Sequence, residues 1–177
     1  MAPAWQRPIK PEWLLRQADD LGGRNAGVGQ PRNADLRRAV SAAYYALYHH
    51  VVGLAVNHAI PDGKPAEQAE LSRLFTHAAV KTVCEQITSA RPPPASRANL
   101  LGPLKTNVAL RDAALAFVPL QQARHDADYN HQAAFSRAGV LTLVDSARDA
   151  IKKLDLVTGT RDGQTFLALI MLEARRQ

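Results

Sequence analysis

Arg124 and His131 stand seven residues apart in the polar run Arg124-His125-Asp126-Ala127-Asp128-Tyr129-Asn130-His131. On a helix that spacing is two turns, so a guanidinium and an imidazole would share one face. Arginine grips anions with a planar fork of donors, and histidine moves protons near neutral pH. The same spacing has a plainer reading. Arg124 continues the apolar seam of Leu110, Ala114 and Phe117, which sets its charge close to a core, where it needs a fixed anionic partner. Asp128, one turn on, is the candidate. On these physical grounds a structural Arg124–Asp128 pair is the stronger reading, and a catalytic site stays open beside it.

A second polar cluster comes earlier in the chain: Arg37, Arg38, Ser41, Tyr44, Tyr45, Tyr48, His49 and His50. Steps of four put Ser41, Tyr45 and His49 in one row beside an apolar stripe. Tyrosines so placed usually bury the ring and tether the hydroxyl, a structural role. A weaker reading takes His49, His50, His125 and Asp126 as a metal set. Other chemistries find no motif. There is no GxxxxGK or GxGxxG phosphate loop, no HExxH and no GxSxG elbow. Cys84 is the only cysteine, which excludes an internal disulfide and a zinc ribbon and suits a reducing cytosol.

These side chains must be positioned by helices. Ala and Leu dominate between the breakers, aromatics are only 6%, and no segment alternates as a strand would. Pro11-Glu12 predicts a first short helix through Trp13, Leu14 and Leu21, followed by a Gly22–Gln30 loop. Asn33 is placed to cap a helix from Ala34 to Ile60, with Leu36, Val40, Ala43, Leu47, Val51 and Leu54 inward. A third helix is expected over Glu67–Ala90, with Leu71, Leu74, Phe75, Ala78, Val83 and Ile87 on its apolar side. Arg91 to Pro103 then reads as a loop. A fourth begins near Asn107 and should kink or split at Pro119. Ser136 is placed to cap a fifth, carrying Leu141, Val144, Ala147, Ile151 and Leu154. Asp162 is placed to cap a last one ending at Arg175-Arg176. At 177 residues, with no linker and no repeat, this is one all-α domain, an antiparallel four- or five-helix bundle.

The +6 net charge is uneven: Lys81, Arg91, Arg97, Lys105 and Arg111 face only Glu85 in the stretch from 81 to 111. That stretch is either a solvated loop or a phosphate-contacting arm. The first residues have no signal-like apolar run, and Leu167–Leu172 is too short to cross a bilayer, so a cytoplasmic protein without a membrane partner is expected.

Two motifs carry a family resemblance. Arg38-Ala39-Val40-Ser41-Ala42-Ala43-Tyr44-Tyr45-Ala46-Leu47-Tyr48-His49 is similar to R-x-x-S-x-A-Y-Y-A-x-F-H, with Tyr48 where Phe is common, and Arg124 to Tyr129 matches R-x-x-A-D-Y. In this order the pair resembles the HEPN (higher eukaryotes and prokaryotes nucleotide-binding) superfamily over roughly residues 34 to 154. The resemblance implies a HEPN-like bundle with short extra terminal helices that often forms homodimers. Many members are metal-independent endoribonucleases using R-x4–6-H. Here Arg124 and His131 fit with six intervening residues, and His125 fills the polar position after the arginine. Asp128, Tyr129, Arg38, Ser41, Tyr45 and His49 would support or bind substrate. The implied partner is RNA or a nucleotide, with no cofactor and no metal. A toxin or defence role, with an antitoxin or nucleotidyltransferase partner, is part of the same expectation. The alternative is a HEPN module that binds nucleotide, RNA or protein without turnover.

Overall fold

Asn33–Ala59 is the longest helix because small and branched apolar residues cover most of its circumference: Leu36, Ala39, Val40, Ala43, Tyr44, Leu47, Val51 and Ala55 are all buried. The computed structural model describes residues 9–25 and 29–175. Within them the regular elements are α1 (Pro11–Leu21), α2 (Asn33–Ala59), α3 (Pro65–Ser72), α4 (His77–Thr88), α5 (Ala98–Thr106), α6 (Val108–Tyr129), α7 (Arg137–Val157) and α8 (Arg161–Ala174). All are helical. The chain start through residue 8, the middle of the Gly22–Gln30 loop and Arg176 lie outside the described residues.

Named contacts fix the directions. Arg37 near the start of α2 bonds carbonyls at the end of α6, so those two helices run antiparallel. Lys153 late in α7 reaches Asp112 early in α6, again antiparallel. Asp19 pairs with Arg148, while Arg24, just beyond the end of α1, bridges Asp19 and Asp145, which sets α1 against α7 in the opposite sense. The result is a bundle of α1, α2, α6 and α7, with α4 covering α6 and α8 closing one side. One continuous apolar cluster runs from Leu15 to Ile170, so α1 and α8 belong to the core, which reaches beyond residues 34–154. Gly163 lets α8 start tight against α7: a Cβ there would come 2.0 Å from the carbonyl oxygen of Val157.

The first short helix forms as expected over Pro11–Leu21, with Leu15 and Ala18 buried and Trp13 half exposed under Lys10. Several sequence expectations are corrected. Asn33 is the first helical residue of α2, and Arg32 takes the cap position with no side-chain bond. Thr160, not Asp162, caps α8 through the amide of Gly163 at 3.2 Å. Asp162 instead accepts from Asn107, the cap of α6. Ser136 caps α7 as expected.

The helix expected over Glu67–Ala90 is two. Thr76 accepts from the amide of Ala79 and starts α4 afresh, and Tyr48 donates to the carbonyl of Phe75 at 2.9 Å in the break. Leu74 and Ala78 are exposed in consequence. The Arg91–Pro103 loop holds a short 3-10 turn at Ala95–Arg97 and most of α5, whose Leu101 and Leu104 are buried. α6 is not split. Pro119 and Leu115 both sit on its exposed face, so the Leu115 carbonyl that loses its partner keeps water. Pro119→Ala restores that helical N–H and is expected to stabilise the fold by about 1–2 kcal/mol in urea unfolding. An unchanged or lower midpoint would show that the proline's stiffening of the unfolded chain outweighs the missing bond.

α2 is the one helix among the described residues long and apolar enough to cross a membrane, and 67% of its most apolar window is buried by the helices around it.

Candidate functional site

The last two turns of α6 lie along a row on α2 made by Arg37, Ser41, Tyr45 and His49, each four residues from the next. Antiparallel packing matches the two ladders rung by rung. Nη2 of Arg124 donates to the Tyr45 hydroxyl at 2.8 Å. Nε of Arg124 lies 2.6 Å from Oδ2 of Asp128, an ion pair whose N–H points off the line of the contact. The hydroxyl of Ser41 donates to the other carboxylate oxygen at 2.7 Å. The guanidinium also sits between two rings, 5.4 Å from the centroid of Tyr45 and 5.6 Å from that of Tyr129. The expected Arg124–Asp128 pair is therefore present, and Ser41 and Tyr45 of the first motif are what hold it.

Arg124 is mostly enclosed, its side chain 19% exposed. Burial works against its charge, but the neighbouring Tyr45, Asp128 and Tyr129 outweigh that and raise its pKa, so the guanidinium stays protonated. Two of its three nitrogens are committed. Nη1 has no protein partner among the described residues and is not enclosed, which leaves one guanidinium edge for an anion.

α6 ends at Tyr129, capped by the amide of Asn130 bonding to Asp126. His131 thus falls in the turn beyond the helix, exposed, and the two-turn spacing from Arg124 is not a helical one. No hydrogen bond, ion pair or ring contact joins Arg124 to His131 among the described residues. The turn is held from beneath by Arg37. Its Nη1 donates to the carbonyl of Ala127 at 2.9 Å, and its Nη2 to those of Asn130 at 2.9 Å and Ala133 at 2.7 Å. Longer contacts reach Asp126 at 3.4 Å and His131 at 3.3 Å. Arg38, the arginine of the first motif, points away and is exposed. His125 and Tyr129 are exposed on the outer face, ring centroids 5.1 Å apart.

Behind this surface the tyrosines and His49 of α2 pack into an aromatic cluster with His77, which lies outside both motifs. His49 stacks on Tyr45 at 5.9 Å. His77, at the start of α4, shares a 2.7 Å hydrogen bond with the buried Tyr44 hydroxyl and rests 4.0 Å from the Tyr48 ring. His77 carries no local motif and is recruited only by tertiary packing. Arg37 was within reach of a spacing argument, because it completes the row of Ser41, Tyr45 and His49. Among the described residues no three His, Cys, Asp or Glu side chains gather to hold a metal ion; His50 turns to Asp155 of α7, and Asp126 accepts from Gln122.

Burial lowers the pKa of His49, and burial, with Arg124 and His49 nearby, lowers that of His77. A histidine held below its ordinary value near 6.5 stabilises the fold above that pH and loses the contribution as pH falls through the folded value. The thermal midpoint is therefore expected to drop as pH is lowered from 7 towards 5. His77→Asn should flatten that dependence. An equally steep profile in the variant would place the acid sensitivity in other groups.

No family model, curated protein or solved structure matches this chain.

Proposed function

We propose that the chain is a HEPN-type RNA-cleaving protein whose Arg124 and His131 act on one phosphodiester without a metal. The observation that supports this best is the preset Arg124: two nitrogens are fixed by Tyr45 and Asp128, and one edge is left free at the bundle surface. Such an edge holds a phosphate without reorganising and stabilises charge that develops on it. His131 follows in an exposed turn whose backbone is pinned by Arg37, so its ring is accessible to substrate. In the proposed step the ribose 2′-oxygen attacks the adjacent phosphorus while imidazole takes its proton. The P–O5′ bond then breaks as the imidazolium, directly or through water, returns that proton to the departing 5′-oxygen, giving a 2′,3′-cyclic phosphate and a 5′-hydroxyl end. A second copy of the chain would complete the site across a dimer, as the family resemblance implies.

A second reading has its own support. The Asp128 carboxylate, itself held by Ser41, ties the guanidinium down as a purely structural pair would. On that reading the surface binds RNA, nucleotide or a protein partner without turnover.

The two separate in one assay. Purified protein is incubated with single-stranded and transfer RNA in EDTA, and the new ends are tested for cyclic phosphate. Cleavage with those ends is expected. Intact RNA, with binding seen only as a mobility shift, would leave the non-catalytic reading standing.

A further inference from the structure

The five cations between Lys81 and Arg111 are not equivalent in the fold. Lys81 pairs with Glu85, and Arg97 with Glu173. Arg91, Lys105 and Arg111 have no carboxylate partner among the described residues, and all three line one cleft of about 390 Å³. The cleft lies between the end of α4, the proline segment, the end of α5 and the start of α6, and no acidic residue lines it. Ile87, Pro92 and Pro93 give it an apolar wall. Lys105 spends two N–H groups on the carbonyls of Ser89 at 2.5 Å and Arg91 at 2.7 Å, which fixes both the proline segment and its own ammonium at the cleft. The side chains of Arg91 and Arg111 bond to nothing described.

Three like charges converging on a concave, partly apolar site repel one another and focus a positive potential there. A multiply charged anion relieves that repulsion. Two free guanidinium forks suit phosphate oxygens, and the volume suits a small molecule with one flat or apolar part. We propose that this cleft binds a phosphate-bearing ligand of nucleotide size, contacted by Arg91, Lys105 and Arg111. The site is separate from Arg124: Arg111 and Arg124 are thirteen residues apart on α6, about 20 Å along its axis.

The phosphate could belong to a free nucleotide or to a stretch of RNA, and calorimetry with three probes distinguishes them: inorganic pyrophosphate, adenosine monophosphate and a ten-nucleotide single-stranded RNA. The parent is compared with the double variant Arg91→Ala/Arg111→Ala, which leaves Lys105 and the loop intact. Binding of pyrophosphate or the mononucleotide, weakened about tenfold or more in the variant, identifies a free-nucleotide site. Binding of the RNA alone identifies a backbone site, with its salt dependence shallower by about 0.7 per lost phosphate contact in the variant. The thermal midpoint should not fall, because neither arginine has a protein partner to lose and their mutual repulsion is relieved. Absence of binding by the parent, or equal binding by parent and variant for every probe, overturns the site. Neither result touches the cleavage assay, which reads Arg124 and His131.

Discussion

His131→Ala is expected to lower RNA cleavage by about 10²- to 10⁴-fold while leaving the urea midpoint of the protein unchanged. The two halves of that expectation come from different facts. The imidazole is exposed in the turn after α6 and has no partner among the described residues, so its loss removes almost no stabilising contact. Surface changes of this kind stay within about 0.5 kcal/mol. The rate effect is the size expected for removing a positioned acid or base. Arg124→Ala should be equally inactive but not equally stable, because it strips the Tyr45 hydroxyl and the Asp128 carboxylate of their shared cation. A loss of about 1–3 kcal/mol follows. Arg124→Lys keeps the charge, yet one ammonium cannot hold Tyr45 and Asp128 and also present a free fork, so it should rescue folding more than turnover. Initial rates on single-stranded RNA, measured beside unfolding curves, separate the two effects. A folded His131→Ala protein that cleaves at the parent rate removes the imidazole from the mechanism.

Much of this arrangement is legible in the chain because it is local. The α2 stripe, the Ser136 cap and the Arg124–Asp128 pair each depend on residues within one or two turns, where helical spacing decides who meets whom. What escapes is decided across the bundle. The break between α3 and α4 looks like continuous periodicity, and only Tyr48, arriving from α2 to bond the Phe75 carbonyl, shows how the interruption is satisfied. The stretch from Arg91 to Pro103 reads as a loop, but Leu101 and Leu104 find burial and carry α5 through Gly102 and Pro103.

The arginines of the first motif show the same division. Adjacent residues on a helix point about 100° apart, so position 37 meets α6 where position 38 meets water. The spacing of Arg37 with Ser41 and Tyr45 contains that information, while the motif string, which begins at Arg38, does not.

Arg37→Ala is accordingly expected to destabilise the protein by roughly 2–4 kcal/mol, and Arg38→Ala by almost nothing. The last carbonyls of a helix have no partner within it, and they carry the negative end of its dipole. At the end of α6 a single guanidinium meets this need, reaching Ala127, Asn130 and Ala133 at 2.7–2.9 Å and packing 5.7 Å from the Phe135 ring. No other side chain described takes over those oxygens. Hydrogen bonds from a charged donor are worth more than neutral ones, but they share one side chain and do not add fully, which sets the upper figure. The damage should be local first: amide exchange accelerates from about residue 127 to 135 before the core of α2 is affected. Because His131 stands on the released turn, cleavage should fall as well, although Arg37 itself touches no proposed substrate group. Arg37→Lys tests the geometry, since an ammonium can satisfy some of these carbonyls but cannot fork between the helix end and the turn. If exchange at the turn is unchanged in Arg37→Ala, the turn is held by its own backbone bonds, such as that from Ala133 to Asn130, and the guanidinium is incidental.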